Sequence, residues 1–168
     1  MIIEDGTGLN NSNSYCNLDF ADNYFSTRGI TTWSDLEEEQ KEVCLIKATD
    51  FIDNSFDWNG IKNTYEQALK FPRKNLINND GYEVKGIPTE LKEAVCECAL
   101  KVSQQVELYQ TEESNGAVTS EKIGELSFSY DTSKKAKDKT LYDVINLRLR
   151  GLFKDKASEK IVMGVYRK

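Results

Sequence analysis

A mainly α fold, built as a four-helix core with a β-hairpin insertion and an extended C-terminal strand, is what three features of this sequence predict. Apolar residues recur at three- and four-residue spacing through 88–110, the mark of a buried helix. Capping and turn residues stand where helices of ordinary length should start and stop. From Leu126 to Tyr130 the period changes to two, as in a half-buried strand. A chain of 168 residues is expected to be one domain, large enough to bury a core without metal or disulfide staples. Residues 1–157 are read as a helical domain carrying a hairpin at 117–131, and 158–168 as a tail.

The elements follow in order. Asn10 to Ser14 is a polar, turn-forming opening, and Asn17 suits the cap of a helix over 18–28. Leu18, Ala21, Tyr24 and Phe25 share one side of it, and Gly29 stops it. Ser34-Asp35-Leu36-Glu37 has the capping-box form, which opens a helix over 35–54. Val43, Cys44, Ala48, Phe51 and Ile52 should be its buried stripe, with Glu38, Glu39, Glu42, Asp50 and Asp53 outward. Phe56 to Gly86 reads as irregular and aromatic-rich, with one short helical turn around Thr64–Leu69.

Pro88 fits the first position of the next helix, over 88–110, where its missing N–H costs nothing. Leu91, Ala94, Val95, Cys98, Ala99, Val102, Val106 and Tyr109 form its stripe. In the hairpin, Val118 to Ile123 pairs with Leu126, Phe128 and Tyr130 across a turn at Gly124. A lysine-rich loop (Lys134, Lys135, Lys137, Lys139) leads to a last helix over 141–153, with Leu141, Ile145, Leu149 and Leu152 inward. Ile161 to Tyr166 is apolar and β-favouring but has no evident partner strand.

Charge is polarised along the chain. Lys134 to Lys168 holds 11 Lys/Arg against four acids, a net of +7, whereas residues 1–133 sum to −13. That suits a part with two differently charged neighbours better than a uniform nucleic-acid binder, whose footprint should be basic. Four cysteines (Cys16, Cys44, Cys96, Cys98) fit buried thiols in a cytoplasm; Cys96 and Cys98 should point to nearly opposite sides of their helix. The chain has no histidine, no Ser-x-x-Lys and no repeated Cys-x-x-Cys. Neither a catalytic residue nor a zinc site is expected, and no cofactor. No apolar run reaches the ~18–20 residues that cross a bilayer, and no membrane partner is expected.

Three motifs compete with plainer explanations. Gly6-x-Gly8-x-x-Asn11 lacks the third glycine and the preceding strand of a dinucleotide loop, so it reads as a turn. Ser55-x-Asp57-x-Asn59-Gly60 with Glu66 matches calcium-loop positions three, five, six and twelve. Ser in first place and Lys62 at the usually apolar eighth position favour a glycine turn between packed aromatics. Trp58, Tyr65, Phe71 and Tyr82, with Lys62, Lys70, Arg73 and Lys74 among them, could stack on single-stranded nucleic acid, or pin the segment to the helices. Arg73, following Phe71-Pro72, should point outward and pair with a carboxylate of its own or a neighbouring copy.

Several segments together resemble one family. They are Ile3-Glu4-Asp5-Gly6-Thr7-Gly8 with Asn13-Ser14-Tyr15, Ala21-Asp22-x-Tyr24-Phe25 with Arg28-Gly29, and Ala48-Thr49-Asp50-Phe51-Ile52-Asp53. Glu66-Gln67-Ala68-Leu69-Lys70-Phe71-Pro72-Arg73 is the most specific, and Ile87-Pro88 leading into Leu91-Lys92-x-Ala94-x-Cys96-Glu97-x-Ala99-Leu100 completes them. They resemble a tailed-bacteriophage family labelled DnaT-like single-stranded-DNA-binding, whose members look like head–tail adaptor (connector or head completion) proteins of the virion neck. Phe71 stands where the family pattern leads one to expect Trp, and Gly151 where it leads one to expect Pro.

The resemblance implies a mostly helical domain with a hairpin, assembled as a ring, usually of twelve copies, beneath the portal. No catalytic residues come with it. The implied partners are the portal protein, neighbouring copies, a tail or tail-completion protein, and double-stranded DNA that passes without sequence-specific binding. On this reading Ile161, Val162, Met163, Val165, Tyr166, Arg167 and Lys168 dock on the portal; the competing expectation is that this strand pairs with the 117–131 hairpin of its own or a neighbouring copy. Arg73, Leu126, Phe128 and Tyr130 lie between copies, and Lys134, Lys135, Lys137 and Lys139 meet a charged surface. The implied location is the virion neck, after assembly in the host cytoplasm. The alternative is a single-stranded-DNA-binding protein of phage replication.

Overall fold

The computed structural model describes residues 1–106, 108, 120–123, 126–129 and 141–154, with the backbone alone for 120–123, 126–129 and 141–142. Four helices and a small antiparallel hairpin make it mainly α, as the periodicities predict. Helix α1 (Leu18–Ser26) starts where Asn17 Oδ1 accepts the Phe20 N–H at 2.9 Å. The chain leaves it through Gly29, whose φ of +68° lies in the left-handed region. Ala21, Tyr24 and Phe25 are buried.

Helix α2 (Glu38–Ser55) begins three residues later than expected. The capping box is Glu37 with Gln40, while Ser34 donates its hydroxyl to the Thr31 carbonyl at 2.6 Å. The reason is Trp33. Its ring packs on Phe25 with centroids 4.7 Å apart, and its Nε1 donates to Asp22 Oδ1 at 2.8 Å. Burying that ring uses residues 31–36 as turns. The buried face is Cys44, Leu45, Ala48, Thr49, Phe51, Ile52 and Asp53. Two positions are therefore reversed: Val43, expected inside, is 48 % exposed, and Asp53, expected outside, is buried.

Helix α3 (Thr89–Ser103) is the central one, with Pro88 as its N-cap. Cys96 and Cys98 lie on nearly opposite sides and both are fully buried, so α3 is covered on both flanks. Helices α1, α2 and α4 (Leu141–Arg148) all pack on it. A single helix over 88–110 is contradicted, because α3 stops at Ser103. Gln105 takes φ +59°, the Val106 N–H bonds the Lys101 carbonyl at 3.0 Å, and the Gln105 N–H bonds that of Val102 at 3.0 Å. These two bonds form a Schellman stop, here without the usual glycine.

Two short strands, β1 (Ile61–Lys62) and β2 (Arg73–Lys74), pair antiparallel, Ile61 opposite Lys74 and Lys62 opposite Arg73. The helical turn expected near Thr64–Leu69 is absent, replaced by a loop built around Gln67. The later hairpin is present: β3 (Ser120–Ile123) pairs with β4 (Leu126–Ser129), Glu121 opposite Phe128 and Ile123 opposite Leu126. Helix α4 ends five residues before 153, and Ile145, Leu149 and Leu152 are buried as expected. Gly151 turns the chain at φ +96°, and Asn79 packs so closely that an added Cβ would sit 2.7 Å from it. The strand 161–166, the tail 158–168, Gly124, Tyr130 and the lysine loop lie outside the described residues.

Candidate functional site

The Gln-Ala-Leu-x-Phe-Pro-Arg segment forms an ordered surface loop held by its own side chains. Arg73 makes its hydrogen bonds to backbone carbonyls of its own chain and, among the described residues, pairs with no carboxylate of that chain. Nε donates to Asn59 O, Nη1 to Lys70 O at 3.0 Å, and Nη2 to Gly60 O at 2.8 Å and Trp58 O at 3.4 Å. The fork of five donors matches a loop that folds its carbonyls inward, which a lysine's single point of charge cannot do. Partial burial pushes the Arg73 pKa down, partly offset by the nearby Tyr15 and Asp53 side chains.

Gln67 is buried and does the complementary work. Its Nε2 donates to Leu69 O at 2.8 Å and Pro72 O at 3.1 Å, and its Oε1 accepts the Thr64 N–H at 2.9 Å. Gly60 has φ +71°, and a Cβ there would fall 2.5 Å from the Lys74 carbonyl, so no other residue fits.

Beneath the loop, the buried Asp53 carboxylate accepts the Lys70 N–H at 3.0 Å and the Tyr15 hydroxyl, while Phe71 N–H donates to Tyr15 Oη at 3.1 Å. Burial raises the Asp53 pKa despite those hydrogen bonds, and burial together with Asp53 raises that of Tyr15 well above its ordinary value. Cys44, Cys96 and Cys98 are also raised, Cys44 and Cys98 chiefly by burial and Cys96 by a hydrogen bond to Cys16 and by burial. These thiols are held protonated, the form least suited to attack or metal binding.

The opening loop is tied chiefly by the Glu4 carboxylate, with Asp5 Oδ1 accepting the Thr7 N–H at 2.9 Å. Glu4, 2 % exposed, accepts the N–H groups of Gly6 (3.0 Å), Gly8 (2.9 Å) and Leu9 (2.9 Å) and the Ser12 hydroxyl (2.9 Å). The N–H groups that would cradle a phosphate in a dinucleotide loop are thus already occupied, and Gly6-x-Gly8 is a turn. This loop lies on the other one: Ala68 N–H donates to Leu9 O at 2.8 Å and Asn63 Nδ2 to Thr7 O at 3.1 Å. Ser55 Oγ donates to Phe51 O at 2.6 Å, and Asn59 Nδ2 to the carbonyls of Gly151 (3.3 Å) and Phe153 (3.0 Å).

Of the four aromatics considered for stacking, Trp58 and Phe71 are buried in a T-shaped pair 4.9 Å apart, while Tyr65 is 94 % and Tyr82 73 % exposed. Lys62 donates to Gln67 O at 3.0 Å, and Lys74 is exposed. Of these side chains, Tyr65, Tyr82 and Lys74 stay open to solvent. An open cleft of about 490 Å³ lies between α1 and the start of α2, with Trp33 in its lining. Its carboxylate, Asp22, already accepts from Trp33 Nε1 and from Lys41 Nζ at 3.1 Å.

A polar cluster that sequence reasoning missed joins three helices. Glu93 and Glu97, one turn apart on α3, receive Arg148 of α4; Arg28 lies 3.5 Å from Glu93, and Tyr24 donates to Glu97 at 2.5 Å. The Arg28 guanidinium also stacks 3.6 Å over the Tyr24 ring. The i, i+4 glutamates were its only signal in the sequence.

Leu126 and Phe128 are placed in β4 by their backbone. Tyr130, Lys134, Lys135, Lys137, Lys139 and the tail residues Ile161, Val162, Met163, Val165, Tyr166, Arg167 and Lys168 lie outside the described residues. Among the described residues no cluster of acids, cysteines or histidines could hold a metal ion, and no helix is long and apolar enough to cross a membrane.

A family model described as "Putative DnaT-like ssDNA binding protein" matches residues 1–168. No curated protein and no solved structure matches the chain.

Proposed function

This chain belongs to the DnaT-like ssDNA-binding family, and within it we propose the role of a structural head–tail adaptor in the neck of a tailed virus. In this reading it catalyses nothing. Copies form a ring beneath the portal, DNA passes through, and a tail or tail-completion protein binds below. The basic, apolar segment from Ile161 to Lys168 supplies the portal contact by adding a strand to an exposed edge.

Charge is the observation that carries this reading. A single-strand binder gains most of its affinity by neutralising phosphates. Here residues 1–133 sum to −13, and two of the four loop cations are engaged with the loop's own backbone, Arg73 on four carbonyls and Lys62 on that of Gln67, while Lys74 is exposed. An acidic wall can surround DNA without retaining it.

The second reading, single-stranded DNA binding, is the one the family's description names, and the exposed rings of Tyr65 and Tyr82 favour it. Base stacking is worth about 1–3 kcal/mol per ring. Mixing the purified protein with portal-bearing heads and imaging the necks separates the two. Ring density below the portal is expected. Heads that stay bare, with micromolar binding to an oligonucleotide, would overturn the adaptor role.

A further inference from the structure

Asn59 and Gly60 are held side by side for separate structural reasons, and together they form a reactive pair. No residue but glycine fits at position 60, where φ is +71° and a Cβ would fall 2.5 Å from the Lys74 carbonyl. Asn59 supplies an amide nitrogen to the segment 150–154 that follows α4, donating to Gly151 O at 3.3 Å and Phe153 O at 3.0 Å. An asparagine followed by glycine is the dipeptide most open to attack by its own backbone, because no side chain shields the glycine nitrogen. We propose that Asn59 is a deamidation site, held unreactive while the 150–154 strap is docked on it and converted irreversibly when the strap lifts.

The reaction needs no cofactor and no oxidant. The Gly60 nitrogen, after losing its proton to hydroxide or buffer, attacks Asn59 Cγ; the bond from Cγ to Nδ2 breaks and ammonia leaves. Water then opens the cyclic succinimide at either carbonyl, giving aspartate or isoaspartate, so the net change is an amide plus water to a carboxylate plus ammonia. Gly60 is exposed and Asn59 half-buried, so water and base can reach the site. The strap is what restrains it, because the leaving nitrogen is the one that donates to Gly151 and Phe153. The Asn59 N–H also donates to Leu152 O at 3.0 Å, the Lys154 N–H donates to Asp57 O at 2.7 Å, and the Phe153 ring packs 4.7 Å from that of Phe56. A second loop holds the strap from its other side, with Asn79 Nδ2 donating to Arg150 O at 3.3 Å. Once Asn59 is a carboxylate it has no donor for those two carbonyls and meets them with like partial charge, so the strap cannot redock as before. This chemistry holds whether or not the chain is an adaptor.

Peptide mapping of the full chain by mass spectrometry, after incubation in mildly alkaline buffer, is the test. Trypsin cuts after Lys47 and Lys62, which places Asn59 in one peptide, apart from the Asn115-Gly116 pair elsewhere in the sequence. The readout is the mass gain that replaces NH2 by OH, located to Asn59 by fragmentation. Wild type should react at least about tenfold more slowly than a synthetic peptide of residues 57–62, since a reaction confined to an opened state follows the population of that state. Gly151→Ala, which puts a Cβ 2.7 Å from Asn79 in a left-handed turn, should speed it at least about tenfold over wild type. Asn79→Ala, at an exposed position, should speed it less. Leu45→Ala, in the buried face of α2 about three turns before Phe56, should leave the wild-type rate, which separates lifting of the strap from general loss of stability. Asn59→Asp, one of the two products, should exchange its Lys154 amide hydrogen at least about tenfold faster than wild type. Wild type reacting as fast as the peptide would overturn the proposal. So would an unaltered rate in both Gly151→Ala and Asn79→Ala, an equal acceleration by Leu45→Ala, or unchanged Lys154 exchange in Asn59→Asp.

Discussion

The two loops that lie against each other on this molecule are each pinned chiefly by a charged side chain, and the two pins are of opposite sign. Around Glu4 the chain turns its N–H groups inward, and a carboxylate gathers three of them with a hydroxyl. Around Arg73 it turns carbonyls inward, and a guanidinium gathers four. The sign of the pin follows from which backbone groups the turn leaves unpaired. A loop without helix or sheet must still satisfy its buried polar groups, and a single multivalent ion does so compactly. The loops also differ in burial, Glu4 being enclosed and Arg73 partly open to solvent. Removing the enclosed pin should therefore cost more.

Glu4→Ala is expected to lose about 4 kcal/mol in urea unfolding, because three N–H groups lose their acceptor in a buried place. Glu4→Gln should lose about half as much, since its amide group opposes donors with a donor. Arg73→Lys comes next, at about 2 kcal/mol, as an ammonium cannot reach four carbonyls at once. Were Arg73→Lys to cost more than Glu4→Ala, burial would not be what ranks the two pins.

Asp53 joins the loop region to α2, and its effect should depend on pH. Burial raises its folded pKa above the ordinary 3.8, so the folded state holds the proton more tightly than the unfolded state does. Its contribution to stability therefore falls as pH rises from about 3.8 through the raised value. The stability of wild type minus that of Asp53→Asn should decline across that window. A difference that grows with pH would mean that the hydrogen bonds from Tyr15 and Lys70 outweigh burial.

The smallest effect concerns the helical core, where pins are not needed. Thr49 Oγ1 in α2 is buried with no hydrogen-bond partner among the described residues. Thr49→Val should raise stability by about 0.5–1 kcal/mol, read as an upward shift in melting temperature.

Much of the helical frame was legible in residue order because it rests on local rules. Asn17 caps α1, the stripe from Leu91 to Ala99 defines α3, and the period of two locates β4. Errors arose where a distant partner decided the outcome. Burial of Trp33 on Phe25 delayed α2, and Tyr15 with the Lys70 amide drew Asp53 inside. The Schellman stop at Gln105 has no glycine to announce it.

The loops were least legible. Arg73 looked like a surface ion because nothing in the order of residues says that four carbonyls converge on it. Glu4 had one readable clue, a carboxylate shortly before Gly-x-Gly, where free N–H groups were to be expected. Which aromatics would be exposed was not readable, since Tyr65 and Phe71 sit in the same kind of local sequence.

The proposed adaptor would meet other proteins while leaving DNA unbound, and a fluorescence-anisotropy titration with a labelled single-stranded oligonucleotide at two salt concentrations tests this most directly. The expected result is no saturable binding at about 150 mM salt, and weak binding at most when salt is lowered. Micromolar binding at that salt, weakening with rising salt and lost in Tyr65→Ala or Tyr82→Ala, would contradict it and make single-stranded DNA the ligand.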